Sequence, residues 1–332
     1  MIVTRNHLLW SLCCLFLTLV VEPKIGAQEQ TKDSSKPAIL GSGHGVDHVG
    51  IAVRDLETAK KTYRDVLGFA VFAGGKHPNG TRNGGPALES GYLELITFWD
   101  RTKTEGGVVA KFLEKHEGLL FLGLDVSSVD DTAKLLRSRG FNIQGPESGS
   151  INVDPDQHEQ PDQPLGSWRL VGLQSGPVPA AQLPAKSADA IFFIQYQPTV
   201  HPNTAKKLSS VYMGVRNLEA SVKEYESMGF RAARKLAAPQ LEAQAQEIEA
   251  GQGTILLLQP RESAGKVASF LAERGAEGIM GVSIEVASLQ TARSLLEANT
   301  KRQFERYAGP YGQSILIPPE FTHGVWIEFF QK

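Results

Sequence analysis

Apolar residues alternate with polar ones from Val46 to Val53 in "GVDHVGIAVRDLETAKKTYRDVLGF" (45–69), and then the pattern lengthens to a helical period. The same change of period occurs in "KLSSVYMGVRNLEASVKEYESMGF" (207–230). Each stretch predicts a strand, a V-R-[DN]-L-E junction, an amphipathic helix and a Gly-Phe stop. Asp55 and Asn217 are good helix caps, and Gly68 and Gly229 suit the residue just past a helix. A second pair joins "VVAKFLEKHEGLLFLGLDVSSVDDTAKLLRSRGF" (108–141) to "KVASFLAERGAEGIMGVSIEVASLQTARSLLEAN" (266–299). The chain therefore repeats in halves, each holding two strand–helix units and a linking helix.

The four units have one predicted plan. The first has strand 46–53, helix 55–67 and strands near 70–74, 86–90 and 91–98. The second has strand 119–126, helix 128–138 and strands near 141–144, 167–173 and 189–197. The third has strand 209–215, helix 217–227 and strands near 231–236, 245–250 and 253–259. The fourth has strand 279–286, helix 288–298 and strands near 304–308, 313–317 and 324–330. Four βαβββ units make an α+β fold of curled mixed sheets with helices outside. The stretch 145–166, rich in Pro, Asp, Gln and Gly, is expected to be a loop of the kind that covers a site.

Composition changes this picture at one end. Arg5 precedes an almost unbroken apolar run from Leu8 to Val21, and Ile25-Gly26-Ala27 suits cleavage before Gln28. Residues 1–27 are expected to be a signal peptide, with a single N-terminal anchor as the alternative. Residues 28–43 read as a disordered tether. The expected domains are 44–200 and 206–332. Both cysteines, Cys13 and Cys14, lie in the leader, so the remainder has no thiol for catalysis, metal binding or disulfides. That predicts a secreted or periplasmic protein. No later stretch is long enough to span a membrane. Net charge is −2 for the chain, and −3 once Arg5, Lys24 and Glu22 leave with the leader. Nucleic acid finds no basic field here.

One strand carries an unexpected group. "GYLELITFWD" (91–100) is apolar apart from Glu94 at its centre, where an unpaired charge is costly. Strand parity puts Val46, His48, Gly50 and Ala52 on one face of the first strand, with Val49, Ile51 and Val53 on the other. On the later strand Tyr92, Glu94, Ile96 and Phe98 share a face. An imidazole and a carboxylate then project into one hollow with small residues around His48.

The residues "DHVGIAVRDLETA" (47–59), "GGKHPNGTRN" (74–83), "GYLELI" (91–96) and "FFIQYQPTVHP" (192–202) resemble the glyoxalase-like domain family of the vicinal oxygen chelate superfamily. That likeness covers roughly 46–230. The second half resembles the superfamily only, through its strand–helix pattern and "HGVWIEFFQ" (323–331). The resemblance implies two tandem glyoxalase/dihydroxybiphenyl-dioxygenase-like domains, in which paired units close a cup. It also implies a ligand from the first and last strand of each unit. Internal alignment gives His48 and Glu94, Phe121 and Gln195, Ser210 and Leu256, and Gly281 and Glu328. If units pair within halves, a divalent ion (Zn, Mn, Ni or Fe) would meet His48, Glu94 and Gln195. If the first unit closes on the fourth, the set is His48, Glu94 and Glu328. The short linking helices favour the first arrangement. A metal-free polar pocket and plain core filling stay open beside both. Neither set supplies the two histidines and a carboxylate expected of an iron(II) extradiol dioxygenase.

The loop "GGKHPNGTRN" offers His77, Thr81, Arg82 and Asn83 to the cup mouth as substrate contacts, Arg82 for a carboxylate or phosphate. Its alternative is a hairpin whose polar groups cap one another. His201 and His323 are weaker candidates. His116 and His158 read as exposed, and Trp99, Trp168 and Trp326 as core. Two functions are expected from these residues. One is a metal-dependent lyase or isomerase on a small oxygenated substrate, with Glu94 or Glu328 moving a proton. The other is a module that binds a small molecule without chemistry. A second half that only completes the first is a third possibility.

Overall fold

The computed structural model describes residues 39–86, 88, 90–150, 152–153, 167–173, 190–196 and 206–332. The expected leader and most of the expected tether lie outside these residues, as do His158 and His201.

The first unit comprises β1 (Val46–Ala52), α1 (Leu56–Lys61, running on through a π turn Thr62–Val66), β2 (Val71–Phe72), β3 (Gly75–Lys76), β4 (Thr81–Pro86) and β5 (Tyr92–Phe98). Linking helix α2 (Thr104–Leu113) leads to β6 (Gly118–Asp125), α3 (Val129–Ser138), β7 (Ile143–Ser150), β8 (Asn152–Val153), β9 (Ser167–Leu173) and β10 (Ile191–Tyr196). The third unit has β11 (Lys207–Gly214), α4 (Leu218–Met228), β12 (Arg231–Ala238), β13 (Ala243–Ala250) and β14 (Gly253–Pro260). After linking helix α5 (Lys266–Arg274) come β15 (Gly278–Glu285), α6 (Leu289–Thr300), β16 (Tyr307–Ala308), β17 (Gln313–Ile317) and β18 (Trp326–Gln331). The helix caps follow the sequence: Asp55 and Asn217 accept from the backbone N–H groups of Thr58 and Ala220, and Gly229 takes the left-handed conformation at φ 108°.

Each half owns one sheet. In the first the order is β7-β9-β10-β6-β1-β5-β4-β3-β8, with β2 on β4. In the second it is β12-β13-β14-β11-β15-β18-β17-β16. The centre of each sheet is an antiparallel pair of first strands, β1 with β6 and β11 with β15, flanked by parallel last strands β5, β10, β14 and β18. Units therefore pair within halves. The swapped set of His48, Glu94 and Glu328 does not come together, because Glu328 belongs to the other sheet.

Two sequence expectations are corrected. Residues 81–86 form strand β4, where the sequence suggested loop to 83 and a strand only near 86–90. Asn79-Gly80 turns the chain so sharply that pairing resumes at once: Gly80 takes φ 93°, and the Asn79 side chain accepts from the N–H and hydroxyl of Thr81. The first part of the expected 145–166 loop is strand as well. β7 pairs with β9 and, just beyond, β8 pairs with β3 at the far edge of the same sheet. Residues 143–150 and 152–153 thus pair at opposite edges of the same sheet. Residues 154–166 lie outside the described ones.

The helices lie on the sheets with one face exposed and the other buried. The β-branched faces of both sheets (Val49 and Ile51 in one, Val211 and Val282 in the other) join α1, α3, α4 and α6 in one contiguous core. Aromatic rings cross from half to half, Phe69 to Phe329 at 5.6 Å and Phe193 to Phe230 at 6.4 Å. The fully buried Tyr63 donates its hydroxyl to the Thr322 carbonyl at 3.1 Å. Each concave face has its own smaller core against a linking helix, Ala52 and Ile96 on α2 and Leu256 and Leu258 on α5. The rest of each concave face is left to form a cup.

Candidate functional site: an aromatic cup over a histidine–carboxylate floor

His48 and Glu94 meet on the concave face of the first sheet. The Nε2 of His48 lies 3.4 Å from a Glu94 oxygen, and the residues are only 2% and 4% exposed. Behind the imidazole, Nδ1 is 2.5 Å from a carboxylate oxygen of Asp47. Adjacent residues of a regular strand face opposite ways. The register slips between Val46 and His48, and this bulge swings Asp47 round to its neighbour's ring. Glu94 is held too: the Asn83 amide donates to its other oxygen at 2.8 Å, and the Asn83 carbonyl accepts from the Gly75 N–H at 3.1 Å. The carboxylate inside an apolar strand is thus held by two fixed partners.

Rings wall the floor. Tyr92 stacks on His48 at 4.4 Å, Phe192 and Phe121 meet it edge-on at 5.4 and 5.9 Å, and Phe72 lies edge-on to Tyr92 at 6.0 Å. All four rings stay half-buried. Glycine makes room for them across the β1–β6 seam. A Cβ on Gly50 would fall 2.1 Å from the Phe121 ring, and one on Gly123 would fall 2.5 Å from the His48 ring. The hollow is therefore not lined by small residues, as the sequence suggested. The glycines are filled from the facing strand.

The other expected contacts separate. Asn83 touches Glu94. Thr81 is fully buried and tied to Asn79. Arg82 pairs opposite Thr97, on the face turned away from Asn83, and reaches Glu57 of the α1 helix at 3.3 Å rather than the cup mouth. His77 is buried, and its Nε2 has no hydrogen-bond partner among the described residues. The backbone of Gln195 pairs in β10, and its side chain lies outside the described residues. His323 joins the halves, with its ring nitrogens 3.2 Å from Glu117 and from Thr62. Trp99 is 44% exposed and so is not core, whereas Trp326 is half-buried and packs against the smaller core of the second half.

The second cup is built around Glu328, which is fully buried. Tyr212 and Ser283 donate their hydroxyls to one carboxylate oxygen, Ser283 at 2.7 Å, and Tyr307 donates to the other at 2.7 Å. Burial, then the neighbouring carboxylate, pushes both phenols well above their usual range, so they remain donors. A cavity of about 270 Å³ lies alongside, with Leu236, Leu241 and Leu256 in its wall and Arg234 beside it. Sequence reasoning found Glu328 but not this cage. Tyr212, Ser283 and Tyr307 come from three strands of two units, and nothing local links them. Asp47 was missed for a similar reason, since a bulge leaves no signature in one sequence.

Proteins of this fold often bind divalent metals, and the donors here can be tested against that. His48 and Glu94 are spaced as two ligands of one ion would be, and Asp47 sits where a carboxylate behind a ligating histidine sits. The next position of the ligand set is Phe121, which donates nothing, and one Glu94 oxygen is occupied by Asn83. In the second cup Glu328 is the single ligand. Among the described residues no group of three His, Cys, Asp or Glu side chains could hold an ion. The described residues do not fit a tightly held metal.

Comparisons with known proteins agree with the architecture. A hypothetical protein from Staphylococcus aureus superposes with a TM-score of 0.58 at 14% identity, covering 86% of this chain and 99% of its own. A variant of 4-hydroxymandelate synthase from Streptomyces coelicolor does so with a TM-score of 0.58 at 14% identity, covering 87% and 92%. At this identity the likeness is one of fold. No curated protein matches the chain. The model of the "Glyoxalase-like domain" family matches residues 46–229, more than half of the chain, and takes in the whole His48–Glu94 floor. The chain belongs to the glyoxalase-like domain family, and its fold is that of the vicinal oxygen chelate proteins.

Proposed function

We propose that the first cup binds a small, flat, oxygen-bearing molecule, and that binding itself is its function. The observation that carries this reading is the division of labour in the cup. The accessible surface is aromatic, while the His48–Glu94 floor is nearly sealed and its groups are engaged by Asp47 and Asn83. Apolar walls with a few fixed polar groups suit a ligand site. A floor whose lone pairs and protons are already engaged suits anchoring better than turnover.

A metal-dependent lyase or isomerase is the second reading, favoured by the 3.4 Å spacing of His48 and Glu94. One experiment separates the two. The neutral dye N-phenyl-1-naphthylamine is titrated by fluorescence, then displaced by a panel of small aromatic carbonyl compounds. The titration is repeated after chelation and after adding back Zn, Mn, Ni or Fe(II). The expected result is metal-indifferent binding, weakened about tenfold by Phe121→Ala. Stoichiometric metal uptake that His48→Ala and Glu94→Ala both abolish would choose the second reading. Absence of both dye and metal binding would sink both.

We also propose that the protein works outside the cytoplasm, on the strength of the leader and the cysteine-free remainder. No helix among the described residues is long and apolar enough to cross a membrane. Cell fractionation of the full chain should recover a product beginning near Gln28, and deletion of residues 1–27 should hold it in the cytoplasm. A product that keeps its first residues and sediments with membranes would replace export with anchoring.

A further inference from the structure

A cleft of about 720 Å³ separates the end of α2 and the residues after it from one face of α5. It lies apart from both cups. Arg274 is central to it. The guanidinium sits 4.6 Å from the centre of the Phe112 ring and 5.2 Å from that of Phe270, and Nη2 donates to the Leu119 carbonyl at 2.8 Å. Rings cover its faces, and that one carbonyl takes a single donor. The other N–H groups have no acceptor among the described residues. Burial brings this group down to about 10, which still leaves it charged at neutral pH.

Arg54 and Lys115 line the same cleft. Arg54 spends Nε on the Leu113 carbonyl, and the Lys115 ammonium has no acceptor among the described residues. The carboxylates alongside are mostly engaged. Glu117 accepts from the Arg54 N–H at 2.6 Å and pairs with His323. Glu242 takes the N–H and ammonium of Lys266, and Glu320 pairs with Arg302. Of the cleft's carboxylates, Glu273 alone lacks such a partner among the described residues. Four cations and four carboxylates line the cleft; Lys266 is taken up by Glu242 and Glu320 by Arg302, which leaves Arg54, Lys115 and Arg274 beside Glu117 and Glu273.

His116 marks where they converge. Its ring lies edge-on to Phe112 at 4.5 Å, and its Nε2 is buried without a hydrogen-bond partner. Burial, followed by the charges of Arg274, Lys115 and Arg54, pushes His116 down to about 4. An unmade buried hydrogen bond costs about 1–3 kcal/mol and calls for a partner from elsewhere. An anion supplies what the buried Arg274 and His116 groups lack, with the exposed Arg54 and Lys115 beside it, and Phe270 and Trp326 give it an apolar backing.

We infer that this cleft between the halves binds a small molecule bearing an oxyanion, carboxylate or phosphate, on an apolar group, with the oxyanion against the edge of Arg274 and beside Lys115. Planar bidentate donation makes arginine suited to either oxyanion.

The test is calorimetric titration of the full chain at low salt with phenyl phosphate, benzoate and inorganic phosphate. Phenyl phosphate or benzoate is expected to saturate in the range of about 0.1–1 mM, and the tighter of the two identifies the oxyanion. Inorganic phosphate, which lacks the apolar part, should bind more weakly. Arg274→Ala should weaken binding about tenfold, and Lys115→Gln with Arg54→Gln about threefold or more. Arg274 also ties the halves at Leu119, so its replacement risks the fold. The Lys115→Gln, Arg54→Gln double variant changes only exposed side chains and decides the matter alone. A second readout is the His116 ring titration by NMR, which should move to higher pH when phenyl phosphate is bound. No saturation below about 10 mM overturns the inference. So does binding indifferent to the double variant, or binding that Phe121→Ala abolishes, which would place the ligand in the first cup.

Discussion

Glu328→Ala is expected to destabilise the protein by about 4 kcal/mol, more than any exposed charge removal would. The carboxylate is wholly buried and accepts from Tyr212, Ser283 and Tyr307. Truncation leaves three hydroxyls without their acceptor and opens a void among them, and both losses count. Glu328→Gln keeps the volume, and its amide lets two of the hydroxyls turn round and accept, so its cost should be about half as large. Urea unfolding of the three proteins measures this. If Ala and Gln cost the same, or Ala costs under about 1 kcal/mol, the cage is not what holds the second cup together. A carboxylate spent in this way anchors strands. The proton-carrying role that the sequence allows it depends on swapped pairing, which the two sheets do not show.

A single methyl group should disable the first cup without touching any of its polar residues. In Gly123→Ala the new Cβ falls 2.5 Å from Cε1 and 2.6 Å from Nδ1 of His48. The ring has nowhere to retreat, being stacked on Tyr92 and held by Asp47. Either the seam between β1 and β6 opens or the imidazole leaves Glu94. We expect a loss of about 2 kcal/mol and loss of binding of the neutral dye. Gly172→Ala is the control, since a Cβ there meets nothing within 4 Å. Its cost should stay within about 0.5 kcal/mol. Equal unfolding midpoints for the two variants, with dye binding intact, would show that the ring does not need the glycine.

The two experiments bear on how differently the halves have used one scaffold. The first cup holds His48 with Glu94 and the second holds Glu328 alone, and the strand registers of the two halves put Leu256 level with Glu94 and Phe192 level with Glu328. In the first cup the carboxylate faces an imidazole under half-buried rings. In the second it is closed over by hydroxyls. Each half therefore keeps its cup's buried carboxylate on a different last strand, beside an imidazole in the first and under hydroxyls in the second.

The sequence by itself determined the repeat, the α+β class and the faces of the strands. Those depend on local periods of two and 3.6 residues and on caps such as Asp55 and Asn217, which neighbours along the chain settle. It also determined that His48 and Glu94 share a face, because parity within each strand suffices for that. It misjudged the hollow around them. The glycines at 50 and 123 looked like open space, whereas Phe121 and His48 lie across them from the opposite strand. Register between strands distant in sequence decides such contacts, and no pattern within one strand reports it. Tertiary structure alone likewise decided that units pair within halves, that Arg82 turns to α1, and that Asp47 reaches His48 through a bulge. It also gathered Tyr212, Ser283 and Tyr307 around Glu328, and set Arg274 against Phe112 from the other half. In each case the partners belong to different elements, and the energy that joins them exists only once the chain has folded.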